Sequence, residues 1–210
     1  LHKNKNAKVI VEKTCANSLR VDYVHEIMPK SRFIYIKRDP IDVVASSIKR
    51  WKAKLEPIYI AKKSIHIPRE DVFFYAKKYL INRIKRNLSQ DKTLPSWGPR
   101  FPTIDEISRN NCSIIDLCVY QWFYCNQYAQ KSLNKLKNLG VLVSAIDYEI
   151  FVDDPLDTLN KALNKIEIDY DESELREATK SIYKTSKGKG KSLTLEQNLK
   201  IKELLQKLKQ

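Results

Sequence analysis

Residues 33–46 read Phe33-Ile-Tyr-Ile-Lys-Arg38-Asp-Pro40-Ile-Asp42-Val-Val-Ala-Ser46, and few arrangements satisfy so abrupt a change of pattern. Phe33, Ile34, Tyr35 and Ile36 form a short apolar run of strand formers, the pattern of an interior strand in a parallel sheet. The run ends in charge at Lys37 and Arg38. Asp39 suits a helix N-cap, Pro40 suits the first helical position, where no amide donor is needed, and Asp42 falls in the first turn, where a carboxylate can close a capping box. The stretch therefore predicts a buried strand joined directly to a helix that starts near Pro40. Open α/β sheets gather ligands at the carboxyl ends of their strands, beside helix N-termini whose free amides favour anions, and Arg38 stands at that edge. Ser46 lies eight residues after Arg38, about two turns into the helix, on the face of Asp42 and near that of Arg50. A hydroxyl and two guanidiniums thus share reach to one anionic ligand. Read from spacing alone, the same residues serve as well as a surface ion-pair partner, a helix filler and a solvated arginine.

The flanking segments repeat the alternation. Lys8–Glu12 reads as a first strand ending at Lys13-Thr14, and Asn17 or Ser18 caps a helix running to Met28 and closed by Pro29. Strand, helix, strand and helix with short connections predict a parallel sheet with right-handed crossovers. Residues 52–69 are irregular, and Asp71–Leu88 reads as a strongly basic helix. Ser89–Arg109, holding Pro95, Gly98, Pro99 and Pro102, reads as an exposed loop. A long amphipathic helix is expected from about Cys112 to Leu139, its Tyr120, Trp122, Phe123 and Tyr124 belonging to the core. Gly140 ends it; Val141–Tyr148 is a further strand, Asp154-Pro155 opens a helix to about Lys165, Lys184–Lys191 is a basic glycine-containing loop, and a last helix spans about Leu195 to Leu208. No internal repeat is visible.

A chain of 210 residues with 42% hydrophobic content has the size of a single domain spanning residues 1–210 with a full core. Its net charge of +14 favours phosphate-bearing or polyanionic ligands. The excess is largely Lys, accompanied by much Ile and Asn, so coding bias accounts for part of it. There is no bilayer-length apolar run and no visible signal peptide, which predicts a cytoplasmic protein, or one in the secretory-pathway lumen if an upstream segment carries an anchor. Cys15, Cys112, Cys118 and Cys125 form no CxxC pair, and His2, His25 and His66 are scattered, so no metal site is expected.

Several separated segments together resemble one family, the sulfotransferases that use 3′-phosphoadenosine 5′-phosphosulfate (PAPS). Arg38-Asp39-Pro40 with Ser46 is similar to the family signature of a strand ending in Arg, then Asp-Pro or Asn-Pro, with Ser eight positions after the Arg. Glu12-Lys13-Thr14 resembles the family's Lys-Thr strand end. Asp147-Tyr148-Glu149 and Asp154-Pro155 resemble its Tyr-Glu-Asp-Leu and Asp-Pro segment, and Lys187-Gly188 resembles its basic glycine loop. These matches run in order from about residue 8 to 205. The resemblance implies a P-loop-NTPase-like α/β fold with a parallel sheet flanked by helices. It implies that Arg38, Ser46, Arg50, Lys187 and Gly188 bind the donor's 3′-phosphate and that Tyr148 approaches the nucleotide. Sulfuryl transfer develops charge on the leaving phosphate, which a positioned cation stabilises, and the resemblance assigns that role to Lys13; otherwise Lys13 is an ordinary solvated strand-end lysine.

Two family features are missing. No Gly-Ser-Thr loop for the 5′-phosphosulfate precedes the first strand, the only glycines being Gly98, Gly140, Gly188 and Gly190; an N-terminally truncated sulfotransferase domain is the expectation, inactive without its upstream segment. Cys15 follows Lys13-Thr14 where small-molecule sulfotransferases place a basic His, so the general base is unassigned; Glu12 suits an ion pair with Lys13. The acceptor is expected to be a hydroxyl of a sugar, a peptide tyrosine or a small molecule, held by residues 52–111 with Trp51, Tyr59 and Trp97 available to stack on it. No nucleic acid partner is expected. The rival readings are a P-loop-type kinase relative, which requires a Walker lysine and a magnesium carboxylate not seen here, and a non-catalytic nucleotide- or polyanion-binding module using Lys77–Arg86.

Overall fold

The computed structural model describes residues 9–53, 97–109, 112–182 and 187–210, together with residues 73, 77, 80, 81 and 84. Among them the order is a 3-10 turn Cys15–Leu19, α1 (Val21–Ile27), β1 (Phe33–Lys37), α2 (Pro40–Trp51), α3 (Ile104–Arg109), α4 (Ile114–Asn138), β2 (Val143–Asp147), α5 (Tyr148–Asp153), α6 (Pro155–Lys165), α7 (Glu172–Thr179), a 3-10 turn Lys189–Ser192 and α8 (Leu195–Lys209). The expected helix at Asp71–Leu88 is helical at the five described positions; the rest of it, and Tyr59, lie outside the described residues. The chain divides into two compact units, one drawn from Leu1–Lys37, Pro99–Thr103 and Phe123–Ile182, the other from Arg38–Gly98, Ile104–Trp122 and Tyr183–Gln210.

In the first unit β1 and β2 pair in parallel, in register from Phe33 opposite Val143 to Lys37 opposite Asp147. Alternation along the strand turns Phe33 and Tyr35 to one face, where they pack with Val141 and Val143 against Val21 of α1 and Ala129, Leu133 and Leu136 of α4. The other face of β1 is open: Ile34 and Ile36 are 37% and 52% exposed, so the strand expected to be buried on both sides is covered on one. The expected strand at Lys8–Glu12 is not formed at its described residues, and Val9, Ile10 and Val11 are exposed. Apolar β-formers specify a strand only where a neighbouring edge takes their backbone bonds. Asp154 caps α6 by accepting from the Asp157 amide at 3.2 Å, with Pro155 in the first turn. Helix α7 was not expected, although Asp171 followed by Glu172 and Glu174 is an N-terminal signal; Asp171 accepts from the Ser173 and Glu174 amides at 2.7 and 3.1 Å.

In the second unit the interior comprises Val44, Ala45 and Trp51 of α2, Leu117, Cys118 and Val119 of α4, and Ile201 and Leu205 of α8, all buried. The Thr194/Gln197 capping box starts α8. Lys200 of α8 reaches Asp116 of α4 at 3.0 Å. Ile104–Arg109, expected as part of a loop, is helical, and Ile104 is 5% exposed. Trp51 and Trp97 meet edge to face at 6.2 Å. Buried Gln121 joins them, accepting from the Trp51 indole at 3.4 Å and donating to the Trp97 carbonyl at 2.8 Å.

Candidate functional site: a basic loop clamped to a helix N-terminus

The expected joint between strand and helix is present. β1 ends at Lys37, the Asp39 carboxylate accepts from the Asp42 amide at 2.9 Å, and α2 begins at Pro40. The Asp42 side chain departs from expectation: it closes no capping box. Its Oδ2 accepts from the Gly188 amide at 2.8 Å and its Oδ1 from the Gly190 amide at 2.7 Å, and the Lys189 amide adds to the set. Amides of one short turn aimed at one carboxylate form a nest for an anion. Arg38 Nη2 stands 3.7 Å from Asp42 Oδ2. Burial works to raise the Asp42 pKa, but the Gly190, Gly188 and Lys189 amides and the Arg38 charge hold it below its usual value.

Backbone conformation and close packing explain the two glycines. Gly188 has φ +70°, in the left-handed region that side chains avoid. A Cβ on buried Gly190 would stand 2.6 Å from Ile41 Cγ2 and 3.3 Å from Asp42 Oδ1, so only glycine lets the loop backbone reach the carboxylate. The spacing Lys187-Gly-Lys-Gly-Lys contained the signal for this turn, but its partner lies 146 positions away in sequence, beyond any local pattern.

The remaining expected residues divide between the units. Arg38, Ser46, Arg50, Lys187 and Gly188 belong to the second. There Arg38 and the Gly188 segment meet at Asp42, Ser46 is half-buried on α2 four residues past Asp42, and Arg50 is exposed. Lys13 and Tyr148 belong to the first. Lys13 is exposed; Tyr148 is the half-buried opening residue of α5, its ring 6.4 Å from that of Phe151. Glu12, expected as a buried partner for Lys13, is exposed, and its two carboxylate oxygens accept from Thr14 and Asn17.

Trp51 is not available for stacking on an acceptor, because it is 7% exposed and packed against Trp97. The first unit instead holds a cleft of about 390 Å³ whose walls include Leu19, Arg20, Arg100, Phe101 and Tyr128. Among the described residues no group of three or more His, Cys, Asp and Glu is placed to hold a metal ion, and no helix is long and apolar enough to cross a membrane.

No curated protein and no solved structure matches this chain. Residues 1–94, which include β1, α2, Arg38 and Ser46, match the family model described as the sulfotransferase family. That family implies a P-loop-like fold, in keeping with the parallel strands and flanking helices seen here. Over these residues, somewhat less than half of its length, the chain is similar to the sulfotransferase family.

Proposed function

We propose that the second unit binds the 3′-phosphate of PAPS and that the protein transfers the donor's sulfuryl group to a hydroxyl. The observation that carries this reading is the meeting of Arg38 with the Lys187–Gly190 loop at the start of α2. It gathers a guanidinium, loop lysines and a helix N-terminus within one short region, the donor set that suits a phosphate. In this reading Arg38, the Ser46 hydroxyl and the Lys187 ammonium hold the phosphate, with Arg50 a turn further along α2. The donor, when bound, supplies an activated sulfuryl group on a phosphate leaving group. Lys13, assigned from the family resemblance, is the cation that offsets the charge on that leaving phosphate. Hydroxyl acceptors in this reading are sugars or peptide tyrosines.

The test is a thermal-shift titration with adenosine 3′,5′-bisphosphate and, in parallel, with ATP. Selective stabilisation by the bisphosphate that is lost in Arg38→Ala supports the proposal. Equal stabilisation by ATP, or none by either nucleotide, refutes it.

A further inference from the structure

Among the described residues, a well-defined geometry lies at a residue that the donor reading leaves unused. Asp42 is 7% exposed, and its two oxygens are bonded to amides of the Gly188–Gly190 turn rather than turned to solvent. Around it stand Arg38 and a loop carrying Lys187, Lys189 and Lys191. Three lysines brought toward an arginine repel one another unless a counter-charge lies between them. The amides also need an acceptor, since a buried N–H left unbonded is strongly unfavourable. One carboxylate meets both needs, and the missing Cβ of Gly190 allows the approach.

We propose that Asp42 is a positioning residue for the donor site: its carboxylate docks the Lys187–Lys191 loop onto α2, so that recognition of the 3′-phosphate depends on a side chain that does not touch it. The inference rests on the donor reading above. It adds that the loop is docked before ligand arrives, because the bonds that hold it are made by the protein alone. It also distinguishes the two ends of Asp42's charge. A carboxylate near a phosphate site would weaken phosphate binding if it faced the ligand, whereas here both of its oxygens are bonded to the loop amides.

Two measurements on the full chain test this, each below the melting temperature of every variant, with circular dichroism confirming retained helix. The first is limited trypsin digestion without ligand, following cleavage after Lys187, Lys189 and Lys191. Asp42→Ala removes the acceptor of both amide bonds and is expected to raise that cleavage at least about tenfold, the factor that losing even one hydrogen bond to a charged acceptor corresponds to. Gly190→Ala, which leaves every charge in place but blocks the approach, is expected to do the same. The second is affinity for adenosine 3′,5′-bisphosphate relative to adenosine 5′-monophosphate. Both variants are expected to lose most of the preference for the 3′-phosphate while keeping the affinity for the monophosphate, a split that general destabilisation does not produce. Unchanged cleavage in both variants, or an Asp42→Ala protein that binds the bisphosphate as tightly as wild type or more tightly, overturns the inference. If wild type itself shows no preference for the bisphosphate, the donor reading falls and the phosphate half of the inference with it; the digestion still reports loop docking.

Discussion

Replacing Asp42 by Asn preserves the shape of the side chain and removes one acceptor and the charge. In wild type two amides donate to the carboxylate at 2.7 and 2.8 Å, and hydrogen bonds to a charged acceptor contribute about 1.5–3 kcal/mol each. Asn offers one oxygen and turns an NH2 group toward the other amide, so one bond is lost and a donor faces a donor. The Arg38 attraction across 3.7 Å goes as well. The expected destabilisation is about 2–4 kcal/mol near neutral pH, read as a lower urea midpoint with an unchanged slope. The pH dependence follows from the direction of the Asp42 shift. Its folded pKa lies below the ordinary 3.8, so its contribution is fully present above that value and is lost as pH falls through the lowered one. The gap between wild type and Asp42→Asn therefore stays constant from about pH 7 to about pH 5 and narrows in stronger acid, where protonated Asp42 also loses an acceptor. Asp22, Asp116 and Asp171 titrate in both proteins and cancel in the difference. An unchanged midpoint at neutral pH, or a gap of the same size in strong acid, refutes the reasoning.

Gln121→Ala removes the bridge between Trp51 and Trp97; leaving a buried indole N–H and a carbonyl without that partner predicts a loss of about 2–3 kcal/mol in urea unfolding, and a loss under about 0.5 kcal/mol argues against the bridge. Tyr35→Phe deletes the hydroxyl that donates to Asn126 and accepts from Gln130, for an expected cost of about 1 kcal/mol by thermal or urea unfolding. Thiol alkylation near pH 8 is expected to modify exposed Cys15 first. Burial, assisted by Asp116, pushes the Cys112 thiol up to about 11, and burial, assisted by Cys112, pushes Cys118 up to about 12. Mass mapping should therefore find these two slow to react while the chain is folded, and rapid labelling of Cys118 in the folded chain would contradict its burial.

Helix boundaries were the most legible feature of this chain, because their signals lie within a few residues of one another. Asp39-Pro40 and Asp154-Pro155 mark the starts of α2 and α6, and Gly140, with φ +85°, follows the end of α4. Strands were less legible. Val9-Ile-Val11 and Ile34-Tyr-Ile36 have the same character, yet only the second is in a strand, since pairing depends on a partner edge that local sequence does not contain. Trp51 illustrates a similar limit: an aromatic at the end of a helix reads as available until Gln121, 70 positions later, and Trp97 are found beside it.

The amino-acid sequence by itself determined the strand-to-helix joint, the residue types at Arg38 and Ser46, and the basic glycine loop, all of which follow from short-range backbone preference and spacing. The tertiary structure alone decided what Asp42 does. In sequence it is one more acidic residue in a first turn; in the fold its carboxylate binds amides 146 and 148 positions away. The physical reason is that a buried amide accepts whatever acceptor the packed chain brings within about 3 Å, and the closeness of Gly190 to Ile41 sets which one that is.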